Sequence, residues 1–164
     1  MTAWRGRPVQ AGALAILCAL ALLFAPLQSA VVLTGEMGEE RAVPCAPGGT
    51  MELEFTHSMY HVPQRETYLV REGDFLLCRV YFGDVRAALY YDAYGVYDMA
   101  ANADGSYEAA GLDAPCRELR FALAHGTEYA VTVRGVRLDL NEAFPRSSHI
   151  VIRRGRASLL STIF

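Results

Sequence analysis

The run MELEFTHSMYHVPQRETYLVRE, residues 51–72, gathers the side chains best suited to chemistry: His57, Ser58, His61 and Glu66. A carboxylate beside an imidazole favours the charged ring and fixes its orientation, which suits acid–base, ligand-binding or metal-binding roles. Leu53 and Phe55 alternate with acids and Thr56, and Glu66, Tyr68 and Val70 alternate in the same way. A hairpin centred between His61 and Val62 sets Leu53 opposite Val70, Phe55 opposite Tyr68, and His57 opposite Glu66. The last pair would close an apolar ladder, with Cβ atoms about 4.5–5.5 Å apart.

The residue order narrows what this group can do. Ser58 directly follows His57, so on a strand the two point to opposite faces and form no relay with Glu66. No G-x-S-x-G elbow exposes a serine. A zinc site needs three or four converging ligands, and only His57, His61 and Glu66 cluster in sequence. The expectation is therefore no catalytic set, no metal and no cofactor. His57 and Glu66 are expected as a structural pair, with a binding role at the domain rim as the alternative. A hydrolase using His57, Ser58 and Glu66 is the rival from another class.

Tyrosines form a second group. Tyr90, Tyr91 and Tyr94 share the stretch ALYYDAYGVYD, which also holds Gly95. Tyrosine combines a flat apolar face with a polar tip and is enriched at interfaces. Adjacent Tyr90 and Tyr91 on a strand must face opposite ways, leaving one near the surface. A small-ligand or lipid-binding surface on this stretch is the alternative to a purely structural reading, and Tyr68 in the His57 hairpin is a further candidate binding residue.

The elements that must position these residues are short strands. Alternation with a period near 2 recurs at Leu119–Leu123, Tyr129–Val133 and Val136–Leu140, and an apolar run follows at Ile150–Ile152. Glycine-bearing turns punctuate the runs at 47–49, 72–74, 104–105, 125–126 and 134–135. A two-residue turn at Arg134-Gly135 pairs Val133 with Val136, Val131 with Leu138 and Tyr129 with Leu140. No segment after residue 35 shows a sustained helical stripe. The expected fold is all-β: a small antiparallel sandwich or barrel of about eight to ten strands behind an N-terminal hydrophobic helix.

That helix reads as a targeting segment. Arg5 and Arg7 precede the uncharged run AGALAILCALALLF, and the apolar stretch continues with interruptions to Leu33. Residues 1–33 are expected as a cleaved signal peptide or an uncleaved signal anchor, since about 20 apolar residues span a bilayer. The body, 35–158, then lies across the bacterial inner membrane, periplasmic or anchored, and 159–164 form an apolar tail. Exported domains can hold disulfides. Cys45 and Cys116 sit beside prolines and are the bridge candidates, while Cys78 is expected on a buried face with Leu76, Val80 and Phe82.

Composition sets outer limits. The chain has 164 residues, 15 basic and 18 acidic, and every basic residue is Arg. Without Lys there is no Schiff base and no phosphate-loop lysine. The mild negative charge speaks against nucleic-acid binding.

Phe55-Thr56-His57-Ser58, followed by Val62-Pro63 and Glu66-x-Tyr68, resembles domain-of-unknown-function family 1850. The stretch RELRFALAHGTEYAVTVRGVRLDL resembles the family's closing strands. Of a Gly-Ala-Gly segment common in the family, only Gly95 has a counterpart. The resemblance implies a small exported protein, often encoded beside TRAP-type (tripartite ATP-independent periplasmic) transporters of the TAXI class. It implies a non-enzymatic accessory role, with a TRAP permease or its solute-binding protein as partner.

Overall fold

A computed structural model describes residues 12–14, 16–18, 21, 25, 28–124 and 127–158. Eleven strands and two short helices make up the body among these residues. One sheet has four strands: β1 (Gln28–Gly35), β2 (Glu40–Pro44), β8 (Glu118–Ala122) and β11 (His149–Ala157), in the order β2-β1-β11-β8. The other has seven: β3 (Thr50–Thr56), β4 (Pro63–Val70), β5 (Phe75–Phe82), β6 (Met99–Ala101), β7 (Tyr107–Cys116), β9 (Tyr129–Val133) and β10 (Val136–Asp139). Their order is β10-β9-β3-β4-β5-β7-β6, and all pairings in both sheets are antiparallel. The expected all-β, sandwich-like architecture is what the chain adopts.

Between the sheets lies the main core. Val31, Leu33, Ile150 and Ile152 from the smaller sheet meet Met51, Leu53, Tyr68, Val70, Phe75, Val131 and Val133 from the larger. Alternation drives this packing, because every second residue of a strand faces inward. β1 departs from it: Ala30 through Leu33 are all buried. An inner strand covered on both faces reads as a continuous apolar run. That run includes part of the segment expected at 1–33 to be signal or anchor. The β-domain therefore starts at Gln28, not 35, and no single helix extends from Ala11 to Leu33. Among the described residues, 12–14 and 16–18 are helical, and no helix is long and apolar enough to cross a membrane. Arg5, Arg7, the 125–126 turn and the tail 159–164 lie outside the described residues.

The Arg134-Gly135 turn has the expected register, with Val133 opposite Val136 and Val131 opposite Leu138. Arg134 and Gly135 both have positive φ, 50° and 81°, as a type I′ hairpin requires. The ladder stops one pair short of Tyr129–Leu140. Asp139 instead caps the short helix Leu140–Ala143, accepting from the N–H groups of Asn141 and Glu142.

Strand β5 holds an irregularity that the alternation hid. Thr67 lies opposite Arg79 and Tyr68 opposite Leu77, so Cys78 is an extra residue with no partner in β4. This bulge flips the phase of the strand. Phe75 and Leu77 face the core on one side of it, Val80 and Phe82 on the other. Cys78 is accordingly half-buried, not on the face of Val80 and Phe82. Cys45 and Cys116 are free thiols and form no bridge. Cys45 directly follows β2 and Cys116 ends β7, so they belong to different sheets, and both pack into the main core as small apolar groups.

One side chain ties the layers together. The Arg154 guanidinium, on β11, donates from Nε to the carbonyl of Arg71 (3.0 Å), and from Nη1 to those of Ala30 (3.0 Å) and Cys45 (3.1 Å). It thus joins the end of the β3–β4 hairpin to both β1 and the segment after β2. Arg154→Met keeps the stem but leaves three carbonyls without this donor, and is expected to cost about 2–4 kcal/mol in urea unfolding. Arg154→Lys should recover only part of this, because an ammonium lacks the planar fork.

Candidate functional site

Seven strands outspan four, so part of the larger sheet needs other cover. Helix α1 (Val85–Tyr91) supplies it. Asp84 caps its start by accepting from the Arg86 N–H at 2.7 Å, and Ala87 and Ala88 bury against Val80, Phe82 and Ala109. This forms a second, smaller core beside the main one. The ALYYDAY stretch is therefore partly helical, and Tyr90 and Tyr91 sit on adjacent helical positions. Tyr91 packs against Phe82 and Tyr97, with ring centroids 5.2 and 5.5 Å away. Tyr90 is exposed, and Tyr94 is 93% exposed. Gly95 closes the turn behind the helix at φ 63°, its N–H reaching the Asp92 carbonyl.

The hairpin carrying His57 has a different register from the expected one. Leu53 lies opposite Glu66 and Phe55 opposite Gln64, a slip of four residues along β4. An even slip preserves the faces, so Leu53, Phe55, Glu66 and Tyr68 still share one side. His57, however, leaves the ladder and does not pair with Glu66. The cause is the connection, which is shorter than the expected 58–65 loop: the strands stay paired as far as Thr56 and Pro63, and residues 57–62 coil between them. The His61 N–H bonds the His57 carbonyl at 2.8 Å, and His61 takes φ 53°. His57 Nδ1 accepts from the N–H groups of Met59 (3.2 Å) and Tyr60 (3.4 Å), so the imidazole braces its own loop. Its ring lies 5.1 Å from Tyr60 and 5.8 Å from Tyr90, joining two features that the sequence kept apart.

Glu66 occupies a row that is otherwise apolar. Across the sheet the row reads Val131, Leu53, Glu66, Val80, Ala109. On one side it borders the main core, on the other the core under α1. Its Oε1 accepts from Gln64 Nε2 at 3.1 Å and its Oε2 from the Tyr68 hydroxyl at 2.5 Å. Burial pushes the Glu66 carboxyl above its ordinary range, and the bonds from Tyr68 and Gln64 only partly oppose this. The Tyr68 hydroxyl is pushed up by burial and then by the Glu66 charge. Tyr91 is pushed up to about 12, by burial first and then by Glu66. Burial also raises the Cys116 thiol, with Asp74 and Glu66 adding to it.

Above Glu66 and Tyr68 lies a cavity of about 320 Å³ between the sheets. Leu53 and Tyr68 form buried parts of its lining, and the Phe55, Tyr129 and Phe121 rings follow one another along it, 6.3 and 6.1 Å apart and nearly parallel. Leu119 adds to the wall, and exposed Ser58, Arg120 and Ala122 stand at the rim. Arg120 pairs with Glu118 at 2.7 Å. Of the residues singled out from sequence, Ser58, Glu66 and Tyr68 meet here. His57 and Tyr90 lie in the neighbouring ring cluster, Tyr91 behind it, and Tyr94 and Gly95 outside. Sequence reasoning missed Gln64, Phe121 and Tyr129 as site residues. Gln64 is a local neighbour of Glu66 on β4, whereas Phe121 and Tyr129 are inward positions of alternating strands that only the pairing of β3 with β9 and the facing of β8 bring to the cavity.

Fold and cavity together define a small antiparallel β-sandwich with an acidic group on the floor of an aromatic-walled pocket. The chain belongs to the family described as a domain of unknown function (DUF1850), whose pattern matches residues 51–140. Every described cavity-lining residue falls within that stretch, whereas β1, β2 and β11 lie outside it. No curated protein and no solved structure matches the chain.

The raised carboxyl has a consequence for stability. A folded-state value above the unfolded one means that the folded protein holds its proton longer, so stability falls as pH rises through the ordinary carboxylate range and above it. Chemical unfolding of wild type and Glu66→Gln between about pH 4 and pH 8 should show their difference shifting toward the variant as pH increases. A constant difference would mean that Glu66 is not strained by burial.

Proposed function

We propose that this chain is an exported, non-enzymatic binding domain that serves a TRAP-type transporter as an accessory, with the inter-sheet cavity as its ligand site. The observation that carries the reading is convergence. Phe55, Thr56, Ser58, Glu66 and Tyr68, five residues of the motif behind the family resemblance, line one cavity. A pocket with apolar walls and few polar groups is the usual form of a small-molecule site. An ionisable residue in an apolar row is costly to bury, which argues for a role other than packing. Hydrolysis by Ser58 is the weaker reading, because His57 Nδ1 is engaged by its own loop and Glu66 opposes Leu53. A ligand surface on the exposed tyrosines is also weaker, since Tyr94 stands clear of any concavity that the cavity residues form. The transporter partnership rests on the family resemblance.

Two measurements test this. An environment-sensitive apolar dye should bind the purified protein, lose binding when Phe121→Trp fills the cavity, and keep it in Tyr94→Ala. The reverse pattern would move the site to the tyrosine surface. In-cell crosslinking of the tagged protein should recover a TRAP permease or solute-binding protein, and recovery of neither would remove the accessory role.

A further inference from the structure

Glu66 has donors but no counter-charge. Gln64 and Tyr68 each give one hydrogen bond to a different carboxylate oxygen, leaving each oxygen further capacity to accept. Among the described residues, the ion pairs involve Glu36, Glu39, Glu40, Glu54, Asp74, Asp84, Glu108 and Glu118, and none involves Glu66. Among the described residues lining the cavity, the cationic side chain is Arg120, which is exposed at the rim and paired with Glu118. The groups that feel the Glu66 charge from β4, α1 and β7 are Tyr68, Tyr91 and Cys116, which ionise to anions and supply no positive charge. The walls are three aromatic rings, whose faces are electron-rich.

We propose that the cavity takes a small organic cation, an ammonium group on an apolar or aromatic body, with the charge set against Glu66 and the body between Phe55, Phe121 and Tyr129. The proposal rests on the reading of the cavity as a ligand site and names its chemistry. An ammonium supplies the missing counter-charge and donates to the open positions on the Glu66 oxygens. The aromatic walls add cation–π attraction in a partly desolvated setting. An anion would meet Glu66 directly, and a neutral polar ligand would leave its charge unmatched. The volume, about 320 Å³, accommodates a single ring with a short charged arm.

The test is calorimetric titration of the full chain at neutral pH with three probes of one shape: benzylammonium, benzyl alcohol and benzoate. Benzylammonium is expected to bind about tenfold tighter than benzyl alcohol, with benzoate weakest. Glu66→Gln, shown to be folded by circular dichroism, should abolish the preference, bringing benzylammonium to the level of benzyl alcohol. Phe121→Ala keeps the charge and should weaken both of these ligands together. Equal binding of benzyl alcohol and benzylammonium to wild type, or tighter binding of benzoate, would overturn the cation while leaving the cavity a ligand site. No binding of any probe, with no dye binding either, would overturn both.

Discussion

The two sheets are unequal, and most of the molecule follows from that mismatch. A four-stranded layer cannot cover a seven-stranded one, and exposed apolar rows on the larger sheet would be unstable in water. The chain meets this with two lids. The smaller sheet covers the part bearing Met51, Val70, Phe75 and Val133, and helix α1 covers the part bearing Val80, Phe82 and Ala109. The bulge at Cys78 keeps one strand facing both lids. Where the covers give out, above Glu66 and Tyr68, a cavity remains.

Much of the fold could be read from alternation, because period 2 depends only on which side of a strand meets water. The Arg134-Gly135 hairpin was legible to the residue, since its turn type demands positive φ at both positions. The β3–β4 hairpin was legible in its faces but not in its register. Six residues connect its strands, and the coiled path through His57 and His61 depends on side-chain bonding to backbone N–H groups, which no apolar pattern encodes. Helix α1 is only seven residues long, too short for a 3.6-residue stripe to stand out. β1 was masked by its burial on both faces, which made a strand look like the end of a membrane-targeting run.

The site was half visible for a related reason. Glu66 and Tyr68 sit two apart on one strand, so their shared face is local information. Their neighbours across the cavity come from β8 and β9, more than fifty residues later. Long-range pairing of that kind is set by the whole sheet order. The same order gives Glu66 its character: Leu53 and Val80 on either side desolvate it, and Gln64 and Tyr68 supply the bonds that make its burial tolerable.

Arg154 also fixes the polarity of the molecule. By holding the Ala30 and Arg71 carbonyls together, it places the start of β1 beside the β4–β5 turn. The cavity opens at the other end of the same hairpin, near Thr56 and Ser58. The chain therefore enters the domain at one pole and presents its mouth at the opposite one. The length of β3, seven residues or about 23 Å, separates the two. Residues leading into Gln28 therefore join the domain at the end away from the opening.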